Sequence, residues 1–102
     1  MLQISNTGGA TQVAFEPKSK LNIANVGQVK SELLATVRGE NGSLIVDLSN
    51  LDYVDSSGIG AFLSLLRACR EHSWKLTFRH PQQGVMDLFN LLQLQSIFTI
   101  ER

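Results

Sequence analysis

The sequence predicts an α/β domain built on one mixed β-sheet, with the elements in the order β-β-α-β-α-β-α-β. Three observations predict this class: strand-like and helix-like patterns alternate along the chain, a glycine-rich turn separates two short strands near its start, and one later strand is apolar almost throughout. Strands joined through helices favour right-handed parallel crossovers, so α-helices should pack against a sheet whose N-terminal hairpin adds an antiparallel edge. The 102 residues suffice for one domain, assigned to residues 1–102.

The first half of the chain contains a hairpin and a helix. Residues 2–5 and 11–15 have the composition of strands, and a glycine-rich turn lies between them. Apolar residues then recur at helical spacing, which predicts a helix over residues 25–38. Asn25 is the predicted N-cap, because a glutamine three residues later completes a capping-box pattern.

The second half alternates strands and helices. Residues 43–48 are nearly all apolar, which is typical of a central strand buried on both faces. Residues 50–57 are interpreted as a connecting loop, after which an apolar stripe predicts a helix from about 57 to 71. The remaining predicted elements are a strand over 74–78, a helix that begins near Pro81 and a short strand over 97–100.

Composition excludes several classes of function. Hydrophobic residues make up 43% of the chain, enough for a core, and nine basic residues balance nine acidic ones. This neutral balance disfavours direct binding of nucleic acid. No apolar stretch is long enough to cross a bilayer and no signal peptide is recognisable, so we expect a soluble cytoplasmic protein without membrane insertion. The lone cysteine, Cys69, is expected to be a buried small hydrophobe, and no metal or cofactor is expected.

The most informative segment leads from the apolar strand into the next helix. Ser56 and Ser57 lie at the predicted start of that helix, where their hydroxyls can cap free backbone N–H groups. Gly58 and Gly60 follow, although glycine costs roughly 1 kcal/mol inside a helix relative to alanine. Two glycines in one turn indicate that another surface approaches the backbone closely. Ile59 between them belongs either to the core or to a partner surface.

This strand–loop–helix segment resembles the STAS domain family. The matching residues are Ile45-Val46-Asp47-Leu48, Leu51-Asp52, Val54-Asp55-Ser56-Ser57-Gly58-Ile59-Gly60 and the helix that follows. The element order matches over nearly the whole chain, including the hairpin and the last strand. The family includes bacterial anti-sigma factor antagonists, so the resemblance implies a STAS fold and that function, with no catalytic activity of its own.

The resemblance also implies a phosphorylation switch. In this family the first serine of the Asp-Ser-Ser-Gly motif, which is Ser56 here, is phosphorylated by the partner anti-sigma factor, a serine kinase. The unphosphorylated protein binds the kinase and frees the sigma factor, and a PP2C-type serine phosphatase reverses the modification. The implied partner-binding residues are Asn22, Asp55, Ser56, Ser57, Gly58, Ile59 and Gly60.

The charge that a phosphate would add at Ser56 is consistent with such a switch. A phosphate on Ser56 would add about −1.5 to −2 charges beside Asp55. The helix N-terminus would stabilise it partly, so the fold should survive while docking fails. Asp55 either orients the Ser56 hydroxyl or holds a contact at the kinase site, or it is a loop aspartate that accepts backbone N–H groups, and these readings remain open. Ser57 is expected to be a structural cap rather than the phosphate acceptor.

The chain departs from the family pattern at two places. Asn22 stands where an aspartate is common, which keeps an acceptor oxygen but removes the charge. A glycine often found late in the last helix is replaced by residues of the run Leu92-Gln93-Leu94. Together with Leu91, these leucines are too many for one helical stripe; core packing is the ordinary explanation, and a partner or dimer contact is the alternative. The protein alone is expected to be a monomer or a weak homodimer.

Two other classes of function remain as alternatives. A non-switching STAS subunit could dock on the ATPase of a lipid-transporting ABC complex or in a signalling scaffold, with Ser56 acting only as a helix cap. An enzyme could use Ser56 or Ser57 as a nucleophile, but this needs a base and an oxyanion hole, and no Gly-x-Ser-x-Gly elbow is present. Helix N-termini also accept nucleotide phosphates, yet the chain has no P-loop.

Overall fold

Two β-sheets of unequal size organise the chain, which a computed structural model describes over all residues, 1–102. The elements in chain order are β1 (Leu2–Thr7), β2 (Ala10–Phe15), β3 (Ser19–Leu21), α1 (Val26–Ala35), β4 (Ser43–Asp47), β5 (Leu51–Val54), α2 (Ser56–Glu71), β6 (Lys75–Arg79), α3 (Gln83–Leu91), a 3₁₀ turn (Leu94–Ser96) and β7 (Thr99–Glu101). The predicted α/β class with a mixed sheet, an N-terminal hairpin and three helices is confirmed.

The larger sheet has five strands in the order β1-β2-β4-β6-β7. Strands β1 and β2 pair antiparallel, and every other pair is parallel, as the alternation with helices predicted. The hairpin turns through Gly8 and Gly9, both with positive φ, at 59° and 84°. Two central residues with positive φ match the right-handed twist of the flanking strands, which explains why the turn contains two glycines.

The smaller sheet, formed by β3 and β5 in parallel, is missing from the sequence prediction. Residues 50–57 were predicted as loop, but residues 51–54 form β5, with Leu21 opposite Val54. Both strands are short, and the buried and exposed positions of β5 do not alternate. Since each strand is defined by a partner about thirty residues away, local periodicity contains no signal for either.

Several predicted boundaries are wrong by a few residues. Helix α1 covers residues 26–35 rather than 25–38, and Asn25 makes no side-chain cap bond. Its side chain instead bonds the backbone of the β3–α1 connection, so the capping box does not form. The last strand begins at Thr99, two residues later than predicted. The delay arises because Gln93 adopts a positive φ (58°) and residues 94–96 then form a 3₁₀ turn before the strand.

One face of the five-stranded sheet carries the hydrophobic core. Val13, Val46 and Phe78 are paired neighbours in the register, and all three are fully buried. Residues that alternate with them on β4, such as Ile45, are only half-buried, so the prediction of burial on both faces is wrong for this strand. The helices pack their buried residues into the same core as Val13, Val46 and Phe78.

Four phenylalanines form the centre of the core. The Phe62 ring lies 5.0 Å from that of Phe78, and Phe98 approaches Phe78 to 4.7 Å on the other side. Phe89 of α3 completes the group with tilted, edge-like contacts to the other three rings. This cluster therefore joins α2, α3, β6 and the segment before β7.

The structure also shows whether the lone cysteine and the leucines near the end of α3 are buried. Cys69 is buried, and burial raises the pKa of its thiol to about 11, as expected for a small core residue rather than a nucleophile. Leu94 belongs to the core, whereas Leu91 and Leu92 are exposed. None of the helices has both the length and the apolar composition needed to cross a membrane.

We expect Phe78→Ala to lower the free energy of unfolding by about 3–5 kcal/mol, because it removes the ring that contacts the three other phenylalanines and leaves a cavity. Leu91→Ala is the matched control: Leu91 is 78% exposed, so its truncation should change stability by less than about 0.5 kcal/mol. Chemical denaturation of both variants checks this. Equal losses would contradict the assigned core.

Candidate functional site

The candidate site lies where the two strands of the smaller sheet end. Leu21 and Val54 are paired in parallel, so the connections that follow β3 and β5 leave the sheet at the same edge. The backbone N–H of Asp55 donates to the carbonyl of Leu21 at 3.2 Å, which closes this edge. Asn22, from one connection, and Asp55, from the other, therefore lie side by side although they are 33 positions apart in the chain.

Asp55, rather than a serine, caps helix α2. Its Oδ1 atom accepts the backbone N–H groups of Ser57 at 3.0 Å and Gly58 at 3.2 Å, and also the hydroxyl of Ser57. Its carbonyl accepts the N–H of Ile59 at 3.1 Å. The prediction that serine hydroxyls cap the helix is wrong, because Ser56 and Ser57 already have helical conformation and only the preceding residue can reach the free N–H groups.

These contacts stabilise the ionised form of the Asp55 carboxyl. The Ser57 hydroxyl has the largest effect and, with the N–H groups of Gly58, Ser57 and Ile23, it lowers the pKa of Asp55 below its ordinary value of 3.8, against a smaller opposing effect of desolvation. The structure shows the reading in which Asp55 accepts backbone N–H groups. Because the backbone N–H of Ile23 contributes to lowering this pKa, the β3–α1 connection lies close to the Asp55 carboxylate.

Ser56 differs from Ser57 in its surroundings. The Ser56 side chain is exposed, and its hydroxyl makes no hydrogen bond within the chain, whereas the Ser57 hydroxyl is half-buried and bonded to Asp55. Asp55 also accepts three of the first four N–H groups of α2. Fewer free N–H groups of the helix N-terminus are therefore left for a phosphate on Ser56 than a helix start without this cap would offer.

Asn22 stabilises the connection between β3 and α1. Its Oδ1 accepts the N–H of Ala24 at 2.9 Å, and its own N–H donates to the side chain of Asn25 at 3.0 Å. The other end of the Asn25 amide donates to the carbonyl of Lys20 at 2.7 Å. The two asparagines thus form a hydrogen-bonded turn, with Asn22 half-buried beside Asp55.

The two glycines of α2 have different roles. A Cβ on Gly58 would lie 2.5 Å from Cγ2 of Val54 and 2.9 Å from Cγ of Leu21, so the close approach predicted here is to the smaller sheet of the same chain. Gly60 is exposed, with nothing within 4 Å of such an atom. Ile59 is buried in the core, which resolves the alternative left open for it. Gly58 and Ile59 are therefore inaccessible to a partner.

Two exposed apolar side chains beside the site were missed in the sequence analysis. Ile23, on the β3–α1 connection, is 77% exposed, and Tyr53, opposite Lys20 in the smaller sheet, is 51% exposed. Ile23 lies outside the apolar stripe of α1, which is a signal that it does not belong to the core. Tyr53 gave no comparable signal because β5 was not recognised. Ile23 follows Asn22 directly in the chain, and Tyr53 lies two residues before Asp55.

The histidine at the end of α2 is too far from Ser56 to act as its base. His72 lies at the C-terminal end of the 16-residue helix α2, about 24 Å from Ser56 along the helix axis, and contacts Glu40 instead. No group of three or more histidine, cysteine or acidic side chains converges to hold a metal ion. The site thus presents an exposed hydroxyl in a rigid, partly apolar surface.

Comparisons with known proteins identify related sequences and folds. The model of the STAS domain family matches residues 2–102. A protein of Bordetella bronchiseptica, BtrV, whose name assigns it provisionally to the anti-sigma factor antagonists, is 29% identical over 80 residues, 78% of this chain and 69% of its own.

Solved structures share the fold at lower sequence identity. An anti-sigma-factor antagonist (STAS) domain protein from Planctomyces limnophilus superposes with a TM-score of 0.86 at 13% identity, covering 98% of this chain and 88% of that one. The anti-sigma factor antagonist SpoIIAA of Bacillus gives 0.78 in its unphosphorylated form, at 16% identity, covering 100% of this chain and 89% of that one. In its phosphorylated form SpoIIAA gives 0.71 at the same identity, covering 100% and 92%.

We expect Gly58→Ala and Gly60→Ala to change stability in opposite directions. The methyl group at position 58 would collide with Val54 and Leu21 and lower the free energy of unfolding by about 1–3 kcal/mol. At position 60 it enters open space, so the better helix propensity of alanine should raise stability by about 0.5–1 kcal/mol. Thermal unfolding measures both, and two changes of the same sign would contradict the assigned packing.

The lowered pKa of Asp55 predicts a pH dependence of stability. The contribution of its carboxylate is complete above the ordinary value of 3.8 and is lost as the pH falls through the lower pKa of the folded state. The stability difference between wild type and Asp55→Asn should therefore be constant near neutral pH and shrink below about pH 4. Denaturant unfolding from pH 2.5 to 7 tests this, with Glu71→Gln, on an exposed carboxylate, as the control. A difference that does not change with pH would refute it.

Proposed function

The chain belongs to the STAS domain family, and on that premise we propose that it is an anti-sigma factor antagonist switched by phosphorylation of Ser56. In its unphosphorylated form it binds an anti-sigma factor that is a serine kinase, and so frees the sigma factor. Phosphorylation of Ser56 by that kinase ends the binding, and a PP2C-type phosphatase restores it. The family is typically regulatory rather than enzymatic, which agrees with a protein that acts by binding.

The exposed hydroxyl of Ser56 is the observation that carries this proposal. Of the two serines in the motif, Ser56 alone is exposed and free of hydrogen bonds, so a kinase can reach it without disturbing the helix cap. Modification of Ser57 would break its bond to Asp55 and force a phosphate into a half-buried position. The names of BtrV and SpoIIAA, and the existence of SpoIIAA in both phosphorylation states, support the same assignment.

The charge of the phosphate is sufficient to explain the switch. A phosphate on Ser56 adds about −1.5 to −2 charges next to the ionised Asp55, whose carboxylate already uses the N–H groups that could have neutralised it. The added negative charge is therefore not neutralised by these N–H groups, and it lies in the surface that meets the partner. A loss of about 2–4 kcal/mol in binding free energy corresponds to a roughly 30- to 1000-fold weaker affinity. No change of fold is needed.

The partner surface that we propose contains fewer residues of the motif than the sequence suggested, and more residues around the motif. Asn22, Asp55, Ser56 and Ser57 remain in it with Gly60, whereas the buried Gly58 and Ile59 support it from below. The exposed side chains of Ile23 and Tyr53 are added to it. Exposed aromatic and apolar side chains of this kind are typical of an interface that excludes water when it forms. Here they belong to the proposed surface that gains charge on phosphorylation.

We expect a Ser56→Ala protein to capture a small ATP-binding serine kinase from a lysate of the source organism, and a Ser56→Asp protein to lose it. The carboxylate of the aspartate mimics part of the phosphate charge at the same exposed position. Affinity capture with both proteins, followed by mass spectrometry, makes the measurement. A transporter ATPase or scaffold protein held equally by both would instead establish the non-switching docking subunit.

The captured kinase then permits a matched test of the acceptor. Incubated with ATP, it should phosphorylate wild type at Ser56, and should not phosphorylate Ser56→Ala. The control Ser57→Ala keeps the exposed acceptor and should be modified, although the loss of the hydroxyl on Asp55 should lower its thermal midpoint. Phosphate found on Ser57 in the wild-type protein would overturn the assignment of Ser56.

A further inference from the structure

Helix α2 presents one narrow exposed stripe that begins at Ser56. The exposed residues of this helix are Ser56, Gly60, Leu63, Arg67, Arg70 and Glu71. The first five follow each other at spacings of four, three, four and three, which places them on a single face over about 21 Å. The exposed serine is therefore one end of a continuous surface rather than an isolated point.

The far half of this stripe borders an apolar groove. The groove, of about 500 Å³, lies between α2 and the segment that follows the 3₁₀ turn, and its lining residues are Leu63, Leu66, Arg67, Arg70, Glu71 and Ile97. Leu63 is 37% exposed and Ile97 is 41% exposed, so two large apolar side chains face solvent there. We call this surface the α2 groove. It is distinct from the apolar area around Ile23 and Tyr53.

The charges of the α2 groove are unbalanced. The structure contains three ion pairs, and neither Arg67 nor Arg70 takes part in any of them. Their side chains also make no hydrogen bond within the chain, which leaves two guanidinium groups against the single carboxylate of Glu71. A partner segment with acidic side chains would complement them, since arginine pairs readily with carboxylates in interfaces.

The shape of the stripe favours a helix as the occupant. The stripe begins with the small and apolar residues Ser56, Gly60 and Leu63 at four-three spacing, a pattern on which a second helix packs lengthwise. Gly60, with no atoms within 4 Å of where its Cβ would be, permits close approach in the middle of the stripe. Leu63 and Ile97 then offer apolar contact, and the two arginines offer charge at the far end.

We propose that the α2 groove docks an acidic amphipathic helix of the kinase that phosphorylates Ser56. This inference rests on the proposed function and adds a second contact, about 16 Å from Ser56 at Arg67. A partner helix lying along the stripe passes Ser56 at one end, so a phosphate there adds charge to the contact between that end of the helix and α2. The groove contributes affinity, and Ser56 controls whether it is used.

Charge reversal in the α2 groove tests the proposal. With the kinase captured by the Ser56→Ala protein, Arg67→Glu combined with Arg70→Glu should weaken binding at least tenfold, and should reduce the dependence of affinity on salt. The matched control is Arg38→Glu combined with Lys75→Glu, which changes the net charge equally on exposed residues outside the groove. It should bind within twofold of wild type. Calorimetric titration at two salt concentrations makes the measurement.

The outcomes separate this inference from the proposed function. A kinase that binds the groove variant and wild type equally would overturn the docking groove and leave the Ser56 switch intact. Failure of the Ser56→Ala protein to capture any kinase would overturn both. Circular dichroism of the groove variant checks that it is folded, as expected because both arginines are exposed.

Photocrosslinking identifies the occupant. Benzoylphenylalanine at position 63 should crosslink to an acidic helical segment of the kinase, whereas the same group at position 3, on exposed strand β1, should not. Crosslinks from position 63 to a second copy of this chain, to a non-helical kinase segment, or to no kinase peptide at all would each overturn the proposed occupant.

Discussion

The carboxylate of Asp55 is the interaction on which the candidate site depends. It accepts N–H groups of the first turn of α2 and the hydroxyl of Ser57, and the N–H of Ile23 contributes to stabilising its charge. The backbone of the same residue donates to Leu21 and accepts from Ile59. One residue therefore joins β3, β5 and α2, and it does so at the point where the exposed serine begins the helix.

This arrangement separates the contacts that hold the helix start in place from the exposed serine that is proposed to be modified. The capping bonds, the packing of Gly58 against Val54 and the phenylalanine cluster all lie on the inner side of α2. Ser56 is exposed, and its hydroxyl makes no hydrogen bond within the chain. In the proposed switch, a charge added to this hydroxyl alters recognition by a partner without breaking an internal hydrogen bond.

Departure from the family pattern at Asn22 has a local explanation. The amide oxygen of Asn22 accepts the N–H of Ala24, which a carboxylate oxygen could also do, so the turn keeps its geometry without the charge. With the ionised Asp55 beside it, a neutral residue at this position limits the accumulation of negative charge at the site. Ile23, at the exposed top of the same turn, gives this surface an apolar character.

Local sequence signals were enough to predict the glycine hairpin, the strands of the larger sheet, the three helices and the position of Ser56 at a helix start. Helical and strand periodicities are contained within one element, so they need no knowledge of its partner. The pairing of β3 with β5 could be seen only in the folded chain, because each of these strands is defined by a neighbour about thirty residues away. That pairing brought Asn22 and Ile23 beside Asp55, and it turned Gly58 inward while leaving Gly60 in solvent. Asp55 caps α2 instead of a serine for a similar reason. Which side chain reaches the free N–H groups depends on the residue at which the helix begins, and contact with the smaller sheet sets that first residue.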